Sequence, residues 1–296
     1  MDERVTPQRE DTYNDHLESL RYNPAIGRRM VMSALPMGFA LAVRPLNAAT
    51  IATDDKGLTA GEVMVPVPDG KMPAYRAMPA GAKNAPVVVV IEEIFGVHEH
   101  IKDICRRFAK EGYYAIAPEL FARYGDASKF TDTQKLISDL IMKVDDTKTR
   151  PDMDAAVAFA KTEGGDTGRL AVTGFCYGGR QAWLYTAHNP NVKAGVAWYG
   201  SVEPGRIPSA LNAVDVADKI KGRVLGLYGA KDAGIPLDSL DRMRAKLKAA
   251  GDTKSEIIVY PDAEHGFHAD YRPSYNEQAA KDGWKRTLAW FKANGV

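Results

Sequence analysis

An α/β fold, with a mostly parallel central sheet flanked by helices, is predicted by two features of the 296-residue sequence. From about Leu58 onward, strand-length apolar runs alternate with helix-length segments. Among them, Val87-Val88-Val89-Val90-Ile91 is an unbroken β-branched run, as a strand buried on both faces requires. A chain of this length can bury one large core, so a single domain over 58–296 is expected behind a leader of 1–57.

Strands are predicted at Glu62–Val67, Ala74–Met78, Val87–Glu92, Tyr113–Ala117, Arg169–Phe175, Gly195–Tyr199, Val224–Tyr228 and Ile257–Tyr260. Helices are predicted between them at 98–111, 132–143, 151–163, 179–188, 237–250 and 276–293. The stretch Phe121–Arg150 departs furthest from simple alternation and reads as a cap or pocket wall.

Composition excludes several classes. With 39 basic and 38 acidic residues the net charge is +1 and no like-charge run occurs, which gives nucleic acid no footprint. The two cysteines, Cys105 and Cys176, fall in different elements, so no disulfide framework is expected, and Cys105 reads as a packed helical residue. No apolar run reaches the roughly 18 residues of a membrane span. His98-Glu99-His100 and His265/His268 lack metal-ligand spacing; the first two are two apart at a helix start, where side chains do not share a face, so no metal is expected.

The leader is polar to residue 27, then carries Arg28-Arg29, an apolar stretch Met30–Val43 and a small-residue tail Asn47-Ala48-Ala49-Thr50. These are the parts of a twin-arginine-like export signal, which predicts a periplasmic or secreted protein. The alternative is a cytoplasmic protein with an amphipathic N-terminal arm packed on the domain or on another subunit.

The chemistry concentrates in Gly174-Phe175-Cys176-Tyr177-Gly178-Gly179. An apolar strand runs into a glycine-flanked turn with a thiol at its apex, followed by a helix whose N-terminus favours negative charge. Downstream, the strand Val224–Tyr228 leads to Asp232, and the strand Ile257–Tyr260 leads to His265. Nucleophile, acid and histidine in that order, each at a predicted strand end, form a candidate triad: His265 moves the thiol proton and Asp232 fixes the imidazole.

With Glu92-Glu93-Ile94-Phe95-Gly96-Val97, Ala117-Pro118-Glu119-Leu120-Phe121-Ala122-Arg123 and His265-Gly266-Phe267 added, the chain resembles the dienelactone hydrolase (carboxymethylenebutenolidase-like) family over about residues 60–293. The resemblance implies an α/β-hydrolase fold and a cofactor-free hydrolase of small ester or lactone substrates acting through a thioester. It makes Cys176, His265 and Asp232 the triad and Glu93 the glutamate that contacts the resting thiol. The backbone N–H groups of Tyr177 and Ile94 become the oxyanion hole. Glu92, on the opposite strand face, is expected to be the solvated neighbour.

The family's lactone enzymes bind a substrate carboxylate through arginines, one shortly after the histidine. Here Ala269 stands where that arginine is expected, and Arg272 is shifted. The aromatic and basic residues Phe121, Arg123, Tyr124, Trp198, Tyr199, Phe267 and Tyr271 are the pocket candidates. Peptide or thioester hydrolysis on the same triad, and a thiol redox sensor, are the competing functions.

Overall fold

The computed structural model describes residues 51–205 and 211–296. The Arg28-Arg29 pair and the apolar stretch after it lie outside the described residues. Eight strands form one sheet: β1 (Leu58–Val67), β2 (Gly70–Pro79), β3 (Ala85–Ile91), β4 (Tyr114–Pro118), β5 (Gly165–Phe175), β6 (Val192–Trp198), β7 (Arg223–Gly229) and β8 (Glu256–Tyr260). Their order across the sheet is β1-β2-β4-β3-β5-β6-β7-β8. The β1–β2 and β2–β4 pairings are antiparallel, and every pairing from β4 to β8 is parallel. β3 is central and Val87–Ile91 are wholly buried, as a strand covered on both faces requires.

Six helices cover the sheet among the described residues: α1 (Glu99–Lys110), α2 (Thr133–Asp139), α3 (Asp146–Thr162), α4 (Tyr177–His188), α5 (Leu237–Ala249) and α6 (Glu277–Ala293). α1 and α6 pack on each other, with the Phe108 ring 4.5 Å from Trp284 and 5.8 Å from Phe291. α3 and α4 pack along β5.

Two helix boundaries differ from expectation for local reasons. Pro151 suggests a helix start, yet α3 begins five residues earlier, because Asp145 caps it by accepting the Thr147 N–H at 2.8 Å. α4 begins directly after Cys176, two residues ahead of Gly179. The stretch 121–150 is not an open loop: it winds through two short 3₁₀ turns and α2, and Asp146 at its end takes hydrogen bonds from Gln181 at 2.5 Å and from Arg180.

Residues 51–57, counted above with the leader, lie along α1. Thr53 donates its N–H to Asp103 at 2.6 Å, Arg106 donates to the Thr53 carbonyl at 2.7 Å, and Lys110 donates to the Lys56 carbonyl at 2.7 Å. No helix among the described residues is long and apolar enough to cross a membrane.

Carbonyls at the strand ends crowd the turn after β5. A Cβ on Gly178 would lie 2.4 Å from the Ile91 carbonyl oxygen, and one on Gly174 would lie 2.1 Å from the Gly178 oxygen. The obstructing atoms are backbone and cannot swing aside. Gly178→Ala should therefore cost roughly 3 kcal/mol or more in urea denaturation. Gly81→Ala, with φ +71° but open space around it, should cost only about 1 kcal/mol.

Candidate active site

Cys176 sits between β5 and α4 with φ 54° and ψ −112°, a conformation L residues rarely adopt. Its N–H donates to the Trp198 carbonyl at 3.0 Å, and its own carbonyl accepts the Arg180 N–H at 3.2 Å as α4 begins. The thiol is thus presented at the carboxyl end of the parallel sheet and at a helix N-terminus, where backbone N–H groups and the dipole favour an anion. Cys105, in contrast, is fully buried, and burial pushes its thiol far above the usual range.

Asp232 and His265 arrive from neighbouring strands. The loops after β7 and β8 are stitched together by Ala230 N–H to the Tyr260 carbonyl at 2.9 Å and Lys231 N–H to the Ala263 carbonyl at 3.0 Å. That register brings His265 Nδ1 to 2.7 Å from Asp232 Oδ2, while Asp232 Oδ1 accepts the Gly234 N–H at 2.8 Å. Burial alone would lower the His265 pKa, but the Asp232 charge, followed by interaction with Cys176, raises it to about 10. At neutral pH the imidazole is therefore a cation between a carboxylate and the thiol.

Glu93, two residues past β3, is wholly buried. Its carboxylate accepts the Tyr271 O–H at 2.5 Å, lies 3.3 Å from Arg272 Nη2, and lies 3.4 Å from His98 Nε2. Among the described residues these three are its polar side-chain partners. Burial opposes the charge, yet Arg272, followed by His98, holds the carboxyl well below the usual carboxylate range. Arg272 and Tyr199 each lie within electrostatic range of both Glu93 and Cys176.

Arg272 reaches the site beside Glu93, a placement that spacing after His265 obscured. Consecutive turns, Ala269 N–H to the Gly266 carbonyl at 2.8 Å and Arg272 N–H to the Ala269 carbonyl at 2.9 Å, wind the loop back so that the seventh residue returns to the site. Gly266, at φ 75°, makes room: a Cβ there would be 2.9 Å from Arg272 Nη1. A glycine directly after the histidine was the signal available in the sequence.

The other candidates divide. Tyr199, with φ 38°, stacks its ring edge-on to His265 at 5.2 Å, and its buried O–H has no hydrogen-bond partner among the described residues. Trp198, Phe121 and Phe267 are fully buried and belong to the hydrophobic core. Tyr124 accepts the Asp145 N–H at 3.0 Å, closing the 121–145 segment. Arg123 is spent on Asp152 and Asp69, in a cleft of about 300 Å³ that also includes Glu119. Ile94 occupies the turn closed by Gly96 N–H to the Glu93 carbonyl at 3.3 Å, and Tyr177 N–H is in the first turn of α4, where no helical carbonyl precedes it.

Two expectations are corrected. Glu92 is not solvated: it is wholly buried and accepts the Leu120 N–H at 2.8 Å, because the segment after β4 covers that face. His98 and His100 do lie side by side, rings 6.1 Å apart and 18° from parallel, because His98 is the extended N-cap residue and helical spacing does not apply to it.

The strand order, the strained thiol turn and the His–Asp pair at the strand ends define an α/β-hydrolase. The model of the dienelactone hydrolase family matches residues 72–295, and the chain belongs to that family. It is 55% identical over 290 residues to a "Putative carboxymethylenebutenolidase" of Methylorubrum extorquens, covering 96% of this chain and 99% of that protein. A protein of the same description from Salmonella typhimurium is 52% identical over 262 residues, covering 88% and 97%. The crystal structure titled "Putative Dienelactone Hydrolase" from Klebsiella pneumoniae superposes with a TM-score of 0.77 at 52% identity, covering 79% of this chain and 98% of that one. The protein is a hydrolase of this family.

The raised His265 pKa makes a signed prediction. Protonation of His265 stabilises the fold fully below its ordinary value of 6.5, and that stability is lost as pH rises through about 10. Asp232→Asn should therefore cost roughly 3 kcal/mol at pH 6, and the gap to wild type should narrow toward pH 10 in urea titrations.

Proposed function

We propose that the protein hydrolyses carboxylic esters or lactones with Cys176 as nucleophile, His265 as proton carrier and Asp232 as the group that orients His265. The observation that carries this reading is the strained Cys176 turn beside an imidazole held 2.7 Å from Asp232 and coupled to the thiol. The Cys176 thiolate attacks the acyl carbon, and the carbonyl π electrons move to oxygen, where the Tyr177 and Ile94 N–H groups receive the charge. Collapse breaks the acyl–oxygen bond, and His265 gives its proton to the departing alkoxide. Water then attacks the thioester while His265 takes its proton. The acid leaves and the thiolate is restored.

Arg272 and Tyr199 suggest what the acyl donor carries. The guanidinium Nη1 and the Tyr199 hydroxyl are buried without hydrogen-bond partners among the described residues, and both groups interact electrostatically with Cys176. Unspent donors beside a nucleophile favour a substrate with a carboxylate or similar anionic oxygen group. Glu93 holds Arg272 in place for this role, and contact between Glu93 and the thiol belongs to the same proposal. The Arg28-Arg29 segment supports export; retention of the unprocessed full-length chain in the cytoplasm on cell fractionation would refute it.

Cys176→Ala should reduce turnover by at least about 10⁴-fold, and wild type mixed with a slow aryl ester should gain one acyl mass on Cys176. Substantial hydrolysis by Cys176→Ala, or oxidation without any acyl adduct, would reject the mechanism. Arg272→Lys keeps the charge beside Glu93 but loses the planar fork. It should raise KM roughly tenfold for a carboxylate-bearing lactone and leave neutral aryl esters within about twofold.

A further inference from the structure

Behind the Ile94 turn lies a second pair of carboxyl groups that the mechanism above does not use. Glu92 follows β3 directly and is wholly buried; Oε1 accepts the Leu120 N–H at 2.8 Å, while Oε2 is buried with no hydrogen-bond donor among the described residues. Glu119 follows β4 and is half-buried; its Oε2 accepts the Val97 N–H at 2.8 Å. Its Oε1 lies against Gly96, where an added Cβ would stand 2.9 Å away. These crossed contacts set the two carboxyl groups beside each other, where a hydrogen bond between them can form.

Two carboxylates cannot make that bond, because both oxygens are acceptors and both carry charge. One proton between them satisfies the orphaned Glu92 oxygen and removes the repulsion. Each glutamate also grips the other's loop: Glu119 holds the N–H of Val97 in the 92–97 turn, and Glu92 holds the N–H of Leu120 after β4.

We infer that Glu92 and Glu119 are positioning residues that share a single proton and, through it, fix the Glu92–Val97 turn so that the Ile94 amide points at the reacting carbonyl. The inference rests on the reading of Ile94 as an oxyanion donor. The groups facing the pair are Tyr177 from α4, Asp126 beyond β4 and Lys102 from α1. Burial first, then the neighbouring Glu119 charge, pushes the Glu92 carboxyl well up; burial likewise raises Glu119. Both shifts favour keeping the proton on the pair. Its loss in alkali sets two negative charges on one contact and pushes the end of β4 away from the turn.

The test separates proton sharing from catalysis. Glu92→Gln supplies a non-titrating N–H donor to Glu119, whereas Glu92→Ala supplies none. In wild type at pH 8, infrared spectroscopy should detect a protonated-carboxyl stretch that is absent from Glu92→Gln. In turnover assays kcat for Glu92→Gln should stay within about threefold of wild type at neutral pH and hold its plateau further into alkali. Glu92→Ala should lower kcat roughly 10- to 100-fold with KM within about threefold, as expected for a misplaced oxyanion donor. Absence of the wild-type carboxyl band, or an alkaline limb identical in wild type and Glu92→Gln, overturns the proposal. The infrared readout needs no turnover, so it judges the shared proton even if Cys176 proves not to be the nucleophile.

Discussion

Backbone crowding around Cys176 is the constraint on which the rest of the site depends. The turn from β5 into α4 is wedged between the carbonyl ends of β3 and the end of β6. Gly178 meets the oxygens of Ile91 and Glu92, and Gly179 meets the Trp198 oxygen. Because these contacts are backbone to backbone, they fix more than the thiol. They lock the relative positions of the Ile94 turn, the Cys176 side chain and Tyr199, which itself sits at φ 38°. Two strained residues face each other across the β5–β6 ends, where strain is tolerated only because the surrounding sheet leaves no alternative.

Charge at the site is set by burial as much as by pairing. Besides the His265 cation, the buried cation beside Glu93 is Arg272, and Glu93 neutralises it at 3.3 Å. Burial drives His98 down against the pull of Glu93 and drives His268 well below its ordinary value, so these rings stay uncharged packing groups. Near the thiol the titratable positive charge is thereby confined to His265, paired with Asp232, where the proposed mechanism needs a proton held and released. If His98 were also a cation, Glu93 would be shared between two positive partners and Arg272 would be freer to move.

Much of this was legible in the sequence, and the parts that were not share a cause. All eight strands and the order thiol, acid, histidine follow from apolar runs and turn residues, which are local signals. Arg272 is not local: its return to Glu93 depends on the turns between Gly266 and Arg272, and spacing from His265 alone places Ala269 there. Glu92 was misread because strand alternation says which face a residue points to but not what covers that face. The His98–His100 pairing depends on a non-helical N-cap, and the start of α3 depends on a cap that outweighs a proline. Each is a case in which a tertiary partner overrode a periodic rule.

The loop after His265 ties this chemistry to the outer layer. Arg272 and Tyr271 turn inward to Glu93, whereas Asp270, one residue earlier, turns to α1. There its carboxylate takes Arg107 at 3.0 Å, lies 3.2 Å from His100 Nδ1, and accepts the Ile51 N–H at 3.0 Å. Against its burial, His100, followed by Arg107, holds the Asp270 carboxyl down at about 2. One short loop therefore carries both the groups that hold Glu93 and the carboxylate that clasps α1 and the segment at Ile51. Loss of the clasp would release the loop on its outer side while Glu93 still pulled on its inner side. Residues from Ile51 onward consequently belong mechanically to the hydrolase body, and any processing that preserves the clasp has to fall upstream of them.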